Sequence, residues 1–346
     1  MERQVNKVDW FLKDLPKTNE NSPTVFSCFH CCGGSTMGYK LAGFNVLGGV
    51  EIDPEMMSIY RENHKPKHSF LMGVSDFNKI ENESIPKELF SLDVLDGSPP
   101  CSSFSTAGSR EKKWGIKKKF REGQSKQILD DLFFDFIETA KKLKPKVVIS
   151  ENVSGLIKGK ARGYVKQIFK QFDMAGYSTQ FFLLNAAFMG VPQARERVFF
   201  IAKRDDLNFP SIDLKFSEKP ISFSEIEEPI SRITADLTMT PLMLSYWKKC
   251  KPGKAFSSVH EKRSFFGAVK ISASRPLPTL TAVSGNKIFH YSQQRKLTNV
   301  EWLRGQTFPL DFKCKDSLLR YAIGMSVPPF MMQKIAEQIK KQMLGL

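Results

Sequence analysis

Leu92 to Ser105 reads LDVLDGSPPCSSFS. An apolar run breaks at Gly97, Ser98, Pro99 and Pro100 and then delivers one cysteine, Cys101. Leu92 to Leu95 reads as a strand heading into the interior, and a glycine followed by two prolines ends it sharply. Cys101 is therefore expected at a strand's carboxyl end, where open parallel sheets bind their ligands. Free cysteine packs as a small hydrophobe more often than it reacts, so the neighbouring chain has to decide its role.

Downstream, residues 106 to 127 carry Arg110, Lys112, Lys113, Lys117, Lys118, Lys119, Arg121 and Lys126, broken by Gly108, Gly115 and Gly123. Such a run is either a solvated loop or a clamp on a phosphate backbone that its glycines allow to close. Leu129, Leu132, Phe133, Phe136, Ile137 and Ala140 then recur at helical spacing and read as core. Lys146 to Ser150 is an apolar strand that delivers Glu151 and Asn152 to its end. A carboxyl group leaving a buried strand is costly to ionise without partners, which makes Glu151 a candidate general acid.

Upstream, Val25 to Cys32 is a strand running into Gly33, Gly34, Ser35 and Thr36, with a helix after it. That turn lets backbone approach an adenosine-bearing ligand, or simply packs a helix on a sheet. The next strand ends at Glu51 and Asp53, about 18 residues beyond the glycines, where an acid can accept from ribose hydroxyls or be a solvated strand end. Pro54 starts a helix with Met56, Met57, Ile59 and Tyr60, and Asp76 follows a third strand, Ser69 to Val74. Around Trp10 a short lead-in helix is expected. Ser178 to Asn185 and Arg197 to Lys203 read as a hairpin closing a mostly parallel sheet. From Asp205 to Arg275 periodicity is poor, and Trp247, Phe256, Phe265 and Phe266 recur among lysines and arginines. This suits an inserted recognition region that touches nucleic acid, although surface charge over core aromatics explains it almost as well.

The 346 residues are 41% hydrophobic, with 29 Phe and a formal net charge of +16. The first two figures favour a folded globular chain with one large domain and a smaller one, and the charge favours a polyanionic partner or an acidic membrane surface. No apolar run is long enough to span a membrane, and a cytoplasmic location is expected. Six cysteines are too sparse for a disulfide scaffold, and Cys28, Cys31 and Cys32 lack the paired spacing of structural zinc, so no metal is expected.

Taken together, FHCCGGSTMGYKLAGF, GSPPCSSFS, ENV at 151–153, GVPQARERVFFIA at 190–202, RKLTNVEWLRGQTFP at 295–309 and IGMSVPP at 323–329 resemble the DNA cytosine-5 methyltransferases. The resemblance runs in the family's order from Phe26 to about Pro329. It implies an α/β, Rossmann-like S-adenosylmethionine-dependent fold with a mostly parallel sheet, plus a smaller target-recognition domain. The expected boundaries are 1–204 for the catalytic domain, 205–300 for target recognition and 301–346 for a segment returning to the catalytic domain.

By that resemblance Cys101 is the nucleophile, Glu151 engages the cytosine N3 and amine, Arg195 and Arg197 are the paired arginines, and Asn152 positions the Cys101 turn. Phe29, Gly33 and Gly34 line the S-adenosylmethionine pocket, Glu51 binds the ribose, Asp76 the adenine amine, and Pro100, Leu132 and Val327 form walls. The lysine-rich loop corresponds to a closing catalytic loop over a flipped base. Implied partners are double-stranded DNA and a cognate restriction endonuclease, with the chain a monomer and no membrane partner. Ser27 and Cys31 stand where the family prefers Asp and Gly, Ser102 replaces a common Gln, and Met325 replaces an Asn. Rivals are an RNA cytosine methyltransferase on the same fold, whose tRNA-modifying branch carries a Cys-Phe-Thr triplet absent here, a DNA-binding regulator without catalysis, and a nicotinamide enzyme, which leaves the later motifs without a reason.

Overall fold

The computed structural model describes residues 7–100, 117–118, 127–128, 131–157, 162–233, 236–264, 267–283 and 287–346. Cys101, Arg110, Lys112, Lys113, Lys119 and Arg121 lie outside them, and at Lys117 and Lys118 only the backbone is described. The chain divides into two compact units: residues 16–184, 196–215 and 332–346 form one, and 1–15, 185–195 and 216–331 the other. The division therefore differs from the boundaries expected at 204 and 300. Residues 301–331 belong with the smaller unit, and only 332–346 rejoin the larger.

The larger unit is built on seven strands: β1 (Thr24–Cys28), β2 (Asn45–Glu51), β3 (His68–Leu71), β4 (Val94–Gly97), β5 (Val147–Val153), β6 (Tyr177–Asn185) and β7 (Glu196–Arg204). Their order is β3-β2-β1-β4-β5-β7-β6, parallel from β3 to β5, with β7 antiparallel to β5. The expected closing pair is thus β6 and β7, neighbours at one edge. Central strands covered on both faces are buried along nearly their whole length, which is why β5 shows no alternation of buried and exposed residues. The chain builds outward from β1 to β3 and then returns to β4 on β1's other side. The crevice between β1 and β4 is the switch point at which such sheets bind ligands.

Helices α1 (Gly34–Leu41), α2 (Pro54–His64), α3 (Val74–Asn78), α4 (Leu132–Leu143) and α5 (Arg162–Met174) belong to this unit. Asp53 caps α2 by accepting from Glu55 and Met56 N–H, with Pro54 in the first turn. The strand expected at Ser69 to Val74 ends at Leu71, because residues 74–78 turn into α3 and carry Asp76 in its first turn. On α4, Phe133, Phe136, Ile137 and Ala140 are all buried and join Phe26, Leu95, Val148, Phe172 and Phe200 in one core. Each such phenylalanine contributes roughly 2–3 kcal/mol by leaving water.

The smaller unit has α6 (Pro241–Lys249), α7 (Asn299–Gly305), α8 (Asp316–Met325) and short ladders such as Lys254–Ala255 against Val269–Lys270. Its core is Met239, Trp247, Cys250, Phe256, Ala268 and Phe289, with Phe256 and Phe289 stacked at 4.9 Å. Trp247 and Phe256 are therefore core residues, so of the two readings of these aromatics it is core under surface charge that holds for them. Lys270 is buried too, its ammonium 3.6 Å above the Trp247 ring. Lys248, Lys249, Lys251, Lys254, Lys262 and Arg263 remain exposed. The lead-in at Trp10 is only a turn of 3-10 helix, Leu12–Asp14, and the indole N–H donates to Thr307 O at 2.9 Å.

Candidate active site

The predicted residues of the larger unit fall in a row across neighbouring strand ends. Asp76 follows β3, Glu51 ends β2, the turn Phe29–Gly33 follows β1, Pro99 and Pro100 follow β4, and Glu151 and Asn152 lie at the end of β5. Because β7 runs antiparallel, its beginning lies beside the end of β5: Arg197 pairs in register with Val153, and Phe199 with Glu151. An arginine from the far side of the sequence thus meets the carboxyl group.

The turn after β1 is sharply wound. Phe29, Cys31 and Gly33 all have positive φ, at 55°, 50° and 93°. Glycine is required at 33, since a Cβ there would stand 2.2 Å from Nε2 of His64. Two buried histidines support the turn from below. His30 stacks on Tyr60 at 3.7 Å and donates from Nδ1 to Cys31 O, while His64 donates from Nε2 to Cys32 O. Burial holds His30 neutral, its pKa down at about 4. A hydrogen bond to the Cys32 thiol, with burial, pushes the Cys31 thiol above its ordinary range.

Glu51 accepts at 2.9 Å from the N–H of Cys31 with one oxygen and at 2.9 Å from the N–H of Asp53 with the other. Burial outweighs these bonds and raises its pKa to about 7. Asp76, by contrast, is exposed and pairs with Lys79 at 2.9 Å. Leu132 is buried at the start of α4, and Pro100 is half-buried.

Past β4 the chain must pass the ring of Phe136, and a Cβ at Gly97 would lie 2.5 Å from it. Asn152, only 4% exposed, donates from Nδ2 to Pro99 O at 3.0 Å and accepts from Val153 N–H at 2.9 Å. It ties the end of β5 to the segment two residues before Cys101. Arg197 Nε lies 2.7 Å from Glu151 Oε1, and both side chains are largely buried. Such a charge-assisted bond fixes the carboxyl group's orientation.

Residues 24–341 match the family model for C-5 cytosine-specific DNA methylases. The chain belongs to this family. Membership makes the activity DNA cytosine-5 methylation and S-adenosylmethionine the methyl donor. The chain is 30% identical to the type II methyltransferase M1.HphI of Haemophilus parahaemolyticus, over 92% of this chain and 87% of that protein. It is 36% identical to M.NgoPII of Neisseria gonorrhoeae over 60% of this chain, an alignment that spans 54% of that relative. In fold it resembles DNMT2 of Spodoptera frugiperda, with a TM-score of 0.66 at 16% identity over 92% of this chain and 99% of that one.

Arg195 and Val327 belong to the smaller unit. The Arg195 guanidinium is 2% exposed and donates to the carbonyls of Leu280, at 2.8 Å, and Gly324, at 3.4 Å. Its donors are engaged by carbonyls of that unit, whereas Arg197 is the arginine paired with Glu151. The motif at 295–309 is likewise structural: Arg295 forks onto Glu301, and Arg304 onto Asp9. Val327 is buried, whereas Met325 is exposed.

The sequence reading missed Asp96. It is 3% exposed, accepts from Ser27 Oγ at 2.8 Å and Tyr39 OH at 3.2 Å, and has its pKa raised to about 7 by burial. The signal was available, since an acid inside an apolar strand needs a reason to be there.

Proposed function

We propose that Cys101 is the nucleophile of this methyltransferase, Glu151 its acid on the base, Arg197 the group that orients both, and Asn152 the positioner of the Cys101 turn. The observation that carries this reading is the pair of bonds at the end of β5: Glu151 held by Arg197, and Asn152 holding Pro99.

Cytosine C5 is a weak nucleophile. Addition of the Cys101 thiolate to C6, with a proton delivered to N3 by the Glu151 carboxyl, makes C5 enamine-like. S-adenosylmethionine, when bound, supplies an electrophilic methyl group. Once C5 is methylated, its proton passes to solvent water, N3 returns its proton to the Glu151 carboxylate, and breaking of the C6–S bond restores the ring and frees Cys101 as thiolate. Arg197 keeps the Glu151 carboxyl aimed and has further N–H donors for the base's O2. The target atom is out of reach inside a duplex, so the cytosine has to be flipped out.

The residues fit the methyl donor. Glu51 offers a buried carboxyl for ribose hydroxyls at the end of β2, Phe29 to Gly34 form a tightly wound backbone cradle beside it, and Asp76 follows the next strand over. Leu132 and Pro100 supply apolar wall. We assign choice of DNA sequence to the smaller unit and backbone clamping to the lysines of 110–121. The chain acts as a monomer in the cytoplasm, with a restriction endonuclease of the same specificity as its partner.

The test is transfer of labelled methyl from S-adenosylmethionine to duplex DNA by the purified protein and by Cys101→Ala. Label at cytosine C5 that the variant loses supports the assignment. Label only on RNA, or an active variant, refutes it.

A further inference from the structure

Asp96 is a buried carboxyl group that the mechanism above leaves without work. It pairs in register with Ser27 across the two strands that flank the switch point, and it receives hydroxyl donors from both sides, Ser27 on β1 and Tyr39 on α1. The titratable groups that act on it are Tyr39 on α1, Tyr60 on α2, Cys28 on β1 and Glu151 on β5. None of them is a cation, and among the described residues no basic side chain is bonded to it. A carboxyl this deep with hydroxyl partners alone is costly to keep.

Ser27 stands where the family prefers Asp. The carboxyl missing from β1 is found on the neighbouring strand, 2.8 Å from the serine hydroxyl. Its place in the row of strand ends is also specific. Asp76, Glu51 and the glycine turn come before it, and Glu151 comes after it. With adenine and ribose at Asp76 and Glu51, a methyl donor laid along this row has its methionyl end over β1 and β4. That end carries the donor's two cations, the α-ammonium and the sulfonium, and it must face the cytosine held by Cys101 and Glu151.

We propose that Asp96, steadied by Ser27 and Tyr39, is the counter-charge that binds the cationic methionyl end of S-adenosylmethionine. The inference rests on the reading of Glu51 and Asp76 as the adenosine end of the pocket. Its raised pKa fits this role, because an arriving cation favours the ionised carboxyl and displaces its proton.

The experiment is calorimetric binding of S-adenosylmethionine and of S-adenosylhomocysteine, which lacks the sulfonium charge, near neutral pH in two buffers of different ionisation enthalpy. Asp96→Asn should weaken S-adenosylmethionine binding roughly tenfold, the size of one charge-assisted hydrogen bond, and release less proton than wild type on binding. Equal weakening for both ligands assigns the contact to the ammonium, and weakening for S-adenosylmethionine alone assigns it to the sulfonium. Unchanged affinity and proton release in a folded Asp96→Asn overturn the proposal. Should that variant not fold, the double variant Ser27→Asp/Asp96→Asn returns a carboxyl to β1: binding near wild type supports the proposal, and a folded protein with weak binding overturns it. Glu51→Gln is titrated in parallel. If it too binds normally, the reading of the adenosine end has failed; if it alone is weakened, only the role of Asp96 has.

Discussion

Replacing Asn152 with alanine should uncouple stability from catalysis in a measurable way. The side chain is almost fully buried and makes two bonds, to Pro99 O at 3.0 Å and from Val153 N–H at 2.9 Å. Each orphaned group costs about 1–3 kcal/mol, so about 2–4 kcal/mol of unfolding free energy should be lost after partial hydration. The larger consequence lies two residues on. Freed from Asn152, Pro99 and Pro100, which lead into Cys101, gain room to shift, and a displacement of about 1 Å at a reacting atom costs on the order of a hundredfold in rate. Urea unfolding measures the first effect, and single-turnover methyl transfer to duplex DNA measures the second. The affinity for S-adenosylmethionine should change far less than the transfer rate, because Glu51 and the turn at residues 29–34 are untouched and only Pro100 of the donor's pocket lies in the freed segment. A variant destabilised as expected but with a near-normal transfer rate would refute the positioning role, leaving Asn152 as a purely structural clip.

Three further outcomes follow from particular residues. Glu51 titrates at about 7 in the folded chain against 4.5 in the unfolded one. The folded state therefore holds the extra proton between those values, and stability falls as pH rises through that window, by a total on the order of 3 kcal/mol. Urea midpoints from pH 4.5 to 7.5 should show this slope, reduced in Glu51→Gln; an unchanged slope would contradict the burial argument. Cys31 occupies a left-handed backbone at φ 50°, which costs a non-glycine residue about 1–2 kcal/mol. Cys31→Gly should raise the Tm slightly once the greater unfolded-state freedom of glycine is subtracted, and a clear fall would mean that the thiol bond to Cys32 outweighs the strain. Charge-neutral replacement of Lys117, Lys118 and Lys119 should weaken DNA binding across sequences and flatten its salt dependence; a change in sequence preference alone would make them readers instead.

What could be read in the sequence was local and periodic. The spacing of Phe133, Phe136, Ile137 and Ala140 becomes one buried helix face, and the apolar run into Glu151 becomes a central strand that delivers a carboxyl group. What could not be read depended on where the chain goes next. Arg195 and Arg197 are two residues apart and identical in type, yet one clamps carbonyls of the smaller unit and the other grips Glu151. Nothing local separates them, because residues 185–195 are an excursion whose partners lie about 85 to 130 residues away in sequence. The smaller unit was harder still. Its ladders are two residues long and carry no period, so Trp247 and Phe256, which fill its core, could equally have been surface rings beside the lysines. Asp96 was different in kind, since its buried position in an apolar strand was legible and its partners on β1 and α1 were not.

The central claim is a transient bond between Cys101 and cytosine C6, and a duplex carrying 5-fluorocytosine at the target tests it most directly. Fluorine at C5 cannot leave as a proton does, so methyl transfer should strand the adduct. Mass spectrometry of the digested complex should then find the modified base on the peptide containing Cys101, formed only with S-adenosylmethionine present and absent from Cys101→Ala. Methylation of normal duplex by the same protein, with no adduct on Cys101 from the fluorinated one, would contradict the account.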